Sequence, residues 1–186
     1  MRRTSALALA ALLGLANVGT PVRAETFQSD TPPFSIDYPK GWQIRDGEDE
    51  IRTRAVGPGG AMNVSVAAAS RPDFDSAGFS DADFVHIADE LAAAAAAALK
   101  EFQVIERGKA QLGGKPAAYF VYRAVVDQPD GRVETVGLYY ATAYRGLVYS
   151  VTGVMQARLQ KKLEPAILKS IRSFRFPEAS APPAAH

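Results

Sequence analysis

Three side chains near the middle of the sequence have types and a spacing that could hold a divalent cation. Asp83, His86 and Glu90 lie three and four residues apart, and a helix would bring them onto one face. Carboxylate oxygens and an imidazole nitrogen can bind such a cation together, but only weakly on a solvated surface. Any acidic helix with one histidine gives the same pattern. We therefore predict a solvated histidine and retain Asp83, His86 and Glu90 only as a weak metal site.

An acidic segment just before these residues resembles the opening of a calcium-binding loop. The sequence Asp73-Phe74-Asp75-Ser76-Ala77-Gly78 has acidic groups at its first and third positions. An EF-hand also needs oxygen ligands at its fifth and twelfth positions, which Ala77 and Phe84 occupy here. Because these two ligands are missing, we predict an acidic loop and not an EF-hand.

Motifs for catalysis are also incomplete. The segment Gly78-Phe79-Ser80-Asp81-Ala82 lacks the closing glycine of a nucleophile elbow. Gly113-Gly114-Lys115 is followed by Pro116, where a phosphate-binding loop needs Ser or Thr. The only histidines are His86 and His186, and there is no cysteine. Because no set of residues supplies a nucleophile, a base and an orienting group, the sequence predicts a protein that is not an enzyme.

Basic side chains are concentrated near the end of the chain. Between residues 158 and 175 the only acidic residue is Glu164, and the basic ones are Arg158, Lys161, Lys162, Lys169, Arg172 and Arg175. Such a set could dock on an acidic protein or on an anionic membrane surface, with an attraction that weakens as salt rises. The alternative is the hydrated outer face of an amphipathic helix. Our candidate partner-docking residues are Arg158, Lys161, Lys162, Lys169 and Arg172.

Tyrosines are also clustered, because six of the seven lie between Tyr119 and Tyr149. They could line an aromatic groove on the protein surface. Tyrosine is, however, a favoured residue in β-sheets, where its ring packs against neighbouring strands. Packing is therefore the preferred interpretation, and the groove is the alternative.

Alternating apolar and polar residues before residue 70 predict about four short antiparallel strands, at residues 34–39, 42–45, 51–56 and 62–66. Pro39-Lys40-Gly41 and Gly57-Pro58-Gly59-Gly60 supply turns between them. Tight turns between such strands are typical of an antiparallel sheet.

The pattern changes to a helical period after residue 80. Ser80 and Asp83 fit a capping box, and seven alanines from 92 to 98 favour a helix that persists to about residue 100. One stripe of this helix carries the apolar side chains Phe84, Ile87, Ala88, Leu91, Ala95, Ala98, Leu99 and Phe102. The stripe must cover an apolar surface, and the sheet is the only candidate.

The second half predicts strands near residues 103–109, 117–127, 132–144 and 147–154, with a strong turn at Gln128-Pro129-Asp130-Gly131. A helix follows, in which apolar residues recur every fourth position and Pro165 is predicted to begin the last stretch. The expected fold class is α+β, with a central antiparallel sheet of about six or seven strands sandwiched between helices.

The first 24 residues have the layout of a secretory signal. Arg2 and Arg3 precede an apolar run of about 11 residues, too short to span a bilayer, and Val22-Arg23-Ala24 suits signal peptidase. We predict cleavage after Ala24, a single mature domain over residues 25–176, and a disordered tail at residues 177–186.

The mature chain has a small net charge of −2, which argues against nucleic acid as a partner. The charge is unevenly distributed, with a net charge of −8 over residues 25–101 and of +6 over residues 102–186. The absence of cysteine excludes disulfides, Cys-ligated zinc and thiol catalysis. The two halves either attract each other within one fold, which is the preferred interpretation, or present two faces to different partners.

The order of several segments resembles that of a known family. The segment from Phe34 to Trp42, then Asn63-Val64-Ser65-Val66, Tyr119-Phe120-Val121-Tyr122, Gly146-Leu147-Val148-Tyr149 and Ile171-Arg172-Ser173-Phe174-Arg175 are similar to the PsbP-like family. That family comprises extrinsic photosystem II proteins and their bacterial relatives. The resemblance extends over roughly residues 27–176 and implies a central antiparallel sheet between helices.

The resemblance implies an exported, non-catalytic accessory or assembly protein that docks on a membrane-associated protein complex. The location would be the periplasm or the thylakoid lumen, and in a photosynthetic host the role would concern photosystem II. No cofactor is expected from the residues, although the resemblance makes calcium a candidate. The alternative function is a periplasmic carrier for a small ligand or metal ion.

Overall fold

The computed structural model describes residues 26–47, 50–71, 80–128 and 131–177. The expected signal peptide, the acidic loop at residues 73–78 and residues 178–186 of the expected tail lie outside these ranges, as do the two central residues of the Pro129-Asp130 turn. The described ranges contain nine strands and two longer helices. Their bounds are β1 Thr26–Asp30, β2 Pro33–Asp37, β3 Gln43–Asp46, β4 Ile51–Val56, β5 Met62–Ser70, α1 Asp81–Ala98, β6 Lys100–Leu112, β7 Lys115–Gln128, β8 Gly131–Tyr144, β9 Leu147–Gln156 and α2 Gln160–Ser173.

Seven of these strands form one antiparallel sheet in the order β3-β4-β5-β9-β8-β7-β6. The long hairpins β7-β8 and β8-β9 form its centre and place each strand beside the next one in the sequence. The two halves of the chain meet where β5 pairs with β9 along its whole length. The predicted sheet of six or seven strands is confirmed.

Two features of the strands differ from the expectation. The segment before residue 32 forms an additional strand, β1, which pairs with β2 in a separate two-stranded sheet. The strand expected near residues 103–109 is longer, since β6 is the 13-residue edge of the main sheet. Exposed residues along β6 follow no simple alternation, and two register shifts interrupt its pairing with β7, so a periodicity argument does not find the full length of the strand.

Helix α1 begins as the sequence predicts. The Ser80 hydroxyl accepts the amide proton of Asp83, and an Asp83 carboxylate oxygen accepts the Ser80 amide proton at 2.7 Å. The helix ends at Ala98, slightly earlier than expected, because Leu99 has the extended backbone that leads into β6. Ala98 is consequently exposed, whereas Phe84, Ile87, Ala88, Leu91 and Ala95 of the predicted stripe are buried.

Helix α2 corrects the prediction for Pro165. That residue lies inside a continuous helix rather than at the beginning of its last stretch. Leu163 in the preceding turn is buried together with Ile167 and Ile171. We attribute the continuity to this packing, which holds the turn in place even though Pro165 cannot donate a backbone hydrogen bond.

The two helices cover opposite faces of the sheet, which confirms the α+β sandwich. Ile87 and Leu91 of α1 pack with Phe120, Tyr122 and Tyr139 on one face. On the other face, α2 and the β1-β2 hairpin pack on a larger core that contains Val64, Leu138, Tyr149 and Val151. Successive residues such as Leu138 and Tyr139 therefore belong to different cores, as the two-residue period of a strand requires.

Candidate functional site

The predicted basic residues lie on the outer side of α2 and of the short 3₁₀ helix Ala157–Leu159 that precedes it. The opposite side of the helix faces the core and carries the buried residues Leu163, Ile167 and Ile171. Gly153 of β9 permits this close packing, since any β-carbon there would collide with Ile167. All five candidate docking side chains are exposed, and we call them the cationic surface: Arg158, Lys161, Lys162, Lys169 and Arg172.

Most of this surface has no acidic partner within the part of the chain that the structure describes. Arg158 donates through Nε to Oε1 of Gln156 at 3.0 Å, which orients the guanidinium without neutralising it. The acidic residue of the helix, Glu164, accepts a hydrogen bond from Gln160 at 3.1 Å. Arg175 differs, because its guanidinium lies 3.2 Å from Asp37 of the hairpin. The positive charge at α2 is therefore available to another molecule.

The weak metal candidates Asp83, His86 and Glu90 lie at the beginning of α1, and each side chain has another contact. Asp83 is engaged in the capping box, and the hydrogen bonds from Ser80 hold the pKa of its carboxyl below the usual value. Glu90 lies 3.2 Å from His86 and 3.2 Å from Arg71. Among the described residues, no group of three His, Cys, Asp or Glu side chains could hold a metal ion.

A cleft of 340 Å³ opens where β8 begins and β9 ends, lined by Arg132, Val133, Glu134, Gln156 and Arg158. A smaller cleft of 140 Å³ shares Glu134 and extends toward Arg123 and Glu101. Arg132 is itself paired with Glu101. The larger volume is at the lower end of the range of about 300–1,000 Å³ for small-molecule sites, and three of its five lining residues are charged.

The tyrosine cluster divides into two groups. Tyr122, Tyr139 and Tyr149 are buried, and burial raises the pKa of the Tyr139 hydroxyl to about 12. Half-buried rings remain at Tyr119, Tyr140 and Tyr144. The packing interpretation is therefore correct for the first group, and Tyr140 and Tyr144 of the second group also pack against the core.

Tyr119 and Tyr140 form a stacked pair that the sequence analysis did not single out. Their ring centroids are 5.5 Å apart with an interplanar angle of 19°. The two residues are direct partners in the β7-β8 hairpin, in which Gln128 pairs with Gly131. Because Gln128 pairs with Gly131, the pair could have been found by counting back equally from these two residues.

The described helices include none that is long and apolar enough to cross a membrane. The chain therefore folds as an α+β sandwich, and the cationic surface lies on the outer side of α2. The PsbP family profile matches residues 23–176, and the chain belongs to this family. No curated protein sequence matches the chain.

Solved structures share the fold at low sequence identity. Cyanobacterial PsbP (CyanoP) from Synechocystis has a TM-score of 0.60 and 13% identity, with 88% of this chain and 98% of that one covered. LpqN of Mycobacterium tuberculosis, described as involved in cell envelope biogenesis, has a TM-score of 0.55 at 12% identity and covers 85% and 90% of the two chains. The Ran-binding protein Mog1p of Saccharomyces cerevisiae has a TM-score of 0.51 at 10% identity and covers 83% and 95%. These likenesses show the fold.

Proposed function

We propose that this protein is an exported, non-catalytic accessory protein that docks on a membrane-associated protein complex through its cationic surface. The observation that carries the proposal is the set of exposed bases on α2 that have no acidic partner among the described residues. Membership of the PsbP family supports an accessory role. The expected signal peptide at residues 1–24 supports export, to the periplasm or, in a photosynthetic host, to the thylakoid lumen with a role at photosystem II.

The physical basis of docking is the electrostatic field of the unpaired bases. Charges that are already neutralised by a neighbour contribute little to a long-range field, whereas Lys161, Lys162 and Lys169 have no such neighbour in the described ranges. An acidic partner would be steered to this surface and held there by charge complementarity. The interaction should weaken when salt shortens the screening length.

The test is the reversal of three of these charges. We expect Arg158→Glu, Lys161→Glu and Lys162→Glu together to abolish low-salt co-sedimentation of the purified mature protein with membranes from its host. The matched control is Arg45→Glu, Lys115→Glu and Arg145→Glu, which changes the net charge equally at exposed positions outside α2. Equal loss in both variants, or retained binding in the first, would contradict the proposal.

The carrier that the sequence left as an alternative has weaker support. Its candidate site is the cleft near Arg132 and Arg158. A rise in the melting temperature with inorganic phosphate, lost in Arg132→Ala, would favour a carrier of small anions. We expect no such rise, because carrier sites usually surround the ligand with apolar walls.

A further inference from the structure

The face of the sheet that carries α2 is only partly covered by that helix. Helix α2 packs mainly on β9, β5 and β2, which lie away from the outer strands β7 and β6. The half-buried side chains Tyr119 and Val121 of β7 and Tyr140 of β8 lie on this outer part. We call these three residues the tyrosine face.

The tyrosine face is held in a fixed arrangement. The hydroxyl of Tyr119 donates a hydrogen bond of 2.6 Å to Glu106 on β6, and its ring stacks on Tyr140. Gly108 lies opposite Tyr119 in the β6-β7 pair, and an added β-carbon there would lie 2.8 Å from the ring. The glycine thus allows the ring to lie flat against the sheet. An aromatic surface fixed in this way loses little conformational entropy when a partner binds.

One flank of α2 forms the inner wall beside this face. Glu164, Leu168 and Arg172 are spaced by four residues and therefore share that flank. Burial raises the pKa of the Tyr140 hydroxyl, Arg172 lowers it, and Glu106 and Glu164 raise it, so charges of both signs lie near this ring. Leu168 is partly buried against the core and extends the apolar surface from the sheet to the helix.

Charged side chains of both signs surround the tyrosine face. The two nearby carboxylates, Glu106 and Glu164, accept hydrogen bonds from the neutral groups of Tyr119 and Gln160 and keep their negative charge. Arg172 on α2 and Arg123 on β7 are exposed and form no ion pair with any described residue. Together with the other bases of the cationic surface, these arginines outnumber the two carboxylates around the apolar, aromatic floor. Tyrosine and arginine are the residue types that most often dominate the energy of protein interfaces.

We propose that the tyrosine face and Arg172 bind an acidic segment of a partner protein that also carries an apolar side chain. An apolar side chain of that segment would pack on Tyr119, Val121 and Tyr140, and its carboxylate would pair with Arg172. This inference rests on the proposed function. It adds the apolar contact beside the cationic surface and the chemistry of the partner segment that would bind there.

A protein segment fits this site better than a lipid bilayer. Membrane insertion needs apolar side chains that protrude from the surface. The large hydrophobic side chains exposed in the described ranges are Val85 on α1 and Ile105 on β6, with 58% and 46% of their surface accessible, and neither lies on α2. The rings of Tyr119 and Tyr140 are instead half-buried and stacked on each other.

The test replaces Tyr119 by p-benzoylphenylalanine in living host cells and maps the protein that becomes crosslinked on irradiation. We expect an adduct whose crosslinked segment contains Asp or Glu beside an apolar residue, and we expect Arg172→Glu to reduce its yield about tenfold. The matched control places the same crosslinker at Tyr144, a half-exposed tyrosine stacked on Phe176 at 4.2 Å. An adduct to lipid alone, no protein adduct, or equal adducts at both positions would overturn the proposal.

A second measurement separates this inference from the proposed function. Tyr119→Ala should weaken co-sedimentation with host membranes about tenfold, whereas Tyr144→Ala should leave it unchanged. If charge reversal on α2 releases the protein but Tyr119→Ala does not, the inference is wrong and the proposed function stands. If the wild-type protein never sediments but the Tyr119 adduct is an acidic soluble protein, the proposed function is wrong and the inference stands.

Discussion

Gly137 and Tyr122 show how a single missing side chain shapes the core beneath α1. The two residues are direct partners across β7 and β8, and the Tyr122 ring occupies the space that a β-carbon at Gly137 would need. Both residues are buried, so the ring has no room to move. We expect Gly137→Ala to lower the free energy of unfolding by about 1–3 kcal/mol, measured by urea denaturation.

The matched control is Gly108→Ala, where the added β-carbon would lie 2.8 Å from the half-exposed ring of Tyr119, compared with 2.0 Å from the Tyr122 ring at Gly137. Because this overlap is smaller and lies at the surface, the change should stay within about 0.5 kcal/mol. Equal losses at the two glycines would show that backbone preference, and not the buried ring, governs these positions.

The buried hydroxyl of Tyr122 makes the stability sensitive to alkaline pH. This hydroxyl has no hydrogen-bond partner among the described residues, and burial raises the pKa of Tyr122 far above the ordinary 10.0. The folded state therefore retains a proton that the unfolded state loses above about pH 10, so that stability is full below pH 10 and falls as pH rises further.

Replacing Tyr122 by Phe tests this effect directly. We expect Tyr122→Phe to raise the free energy of unfolding by about 1 kcal/mol at neutral pH, because an unsatisfied buried hydroxyl is removed. The loss of stability between about pH 10 and pH 11 should also be smaller than in the wild type. Urea denaturation at several pH values measures both quantities, and an unchanged alkaline loss would contradict the assignment.

At the scale of the element, the buried stripe of α1 explains why an alanine-rich helix is held against the sheet. Leu91 is 6% exposed and packs in the core that contains Phe120 and Tyr139. We expect Leu91→Asp to prevent folding, since it places an unpaired charge in that core. Ala93→Asp, on the exposed side of the same helix, should cost no more than about 0.7 kcal/mol. Thermal unfolding followed by circular dichroism distinguishes them, and cooperative melting of Leu91→Asp would contradict the helix face.

Elements with a local chemical signal could be predicted from the sequence, and those fixed by long-range pairing could not. The Ser80 capping box and the pairing of β7 with β8 each depend on a local sequence signal. Strand β1 forms by pairing with β2 in a separate sheet, and the bounds of β6 depend on a partner with shifted register. The exposure of the basic residues could be predicted from the helical period of α2. The tyrosine face could not be predicted in this way, because it forms only where the part of the sheet that α2 does not cover meets that helix.

At the scale of the whole molecule, the opposite charges of the two halves are partly used within the fold. Asp89, Glu101 and Asp37 of the acidic half pair with Arg107, Arg132 and Arg175 of the basic half. The cationic surface takes no part in these pairs. The sequence left two alternatives, self-attraction and an external partner. The structure places Arg107, Arg132 and Arg175 in internal pairs and leaves the cationic surface outside them.

These two groups of charges predict different responses to salt. The internal pairs are largely exposed, and exposed pairs contribute little to stability. Raising salt from about 0.1 M to about 1 M shortens the screening length from about 10 Å to about 3 Å. We expect Tm to change by less than about 5 °C over this range, since each kcal/mol shifts Tm by about 2–4 °C in a domain of this size.

Binding to host membranes should fall by more than about tenfold over the same range, because it depends on the unpaired bases of α2. Differential scanning calorimetry and co-sedimentation at matched salt measure the two responses, and a large fall in Tm with unchanged binding would reverse the assignment of the charges.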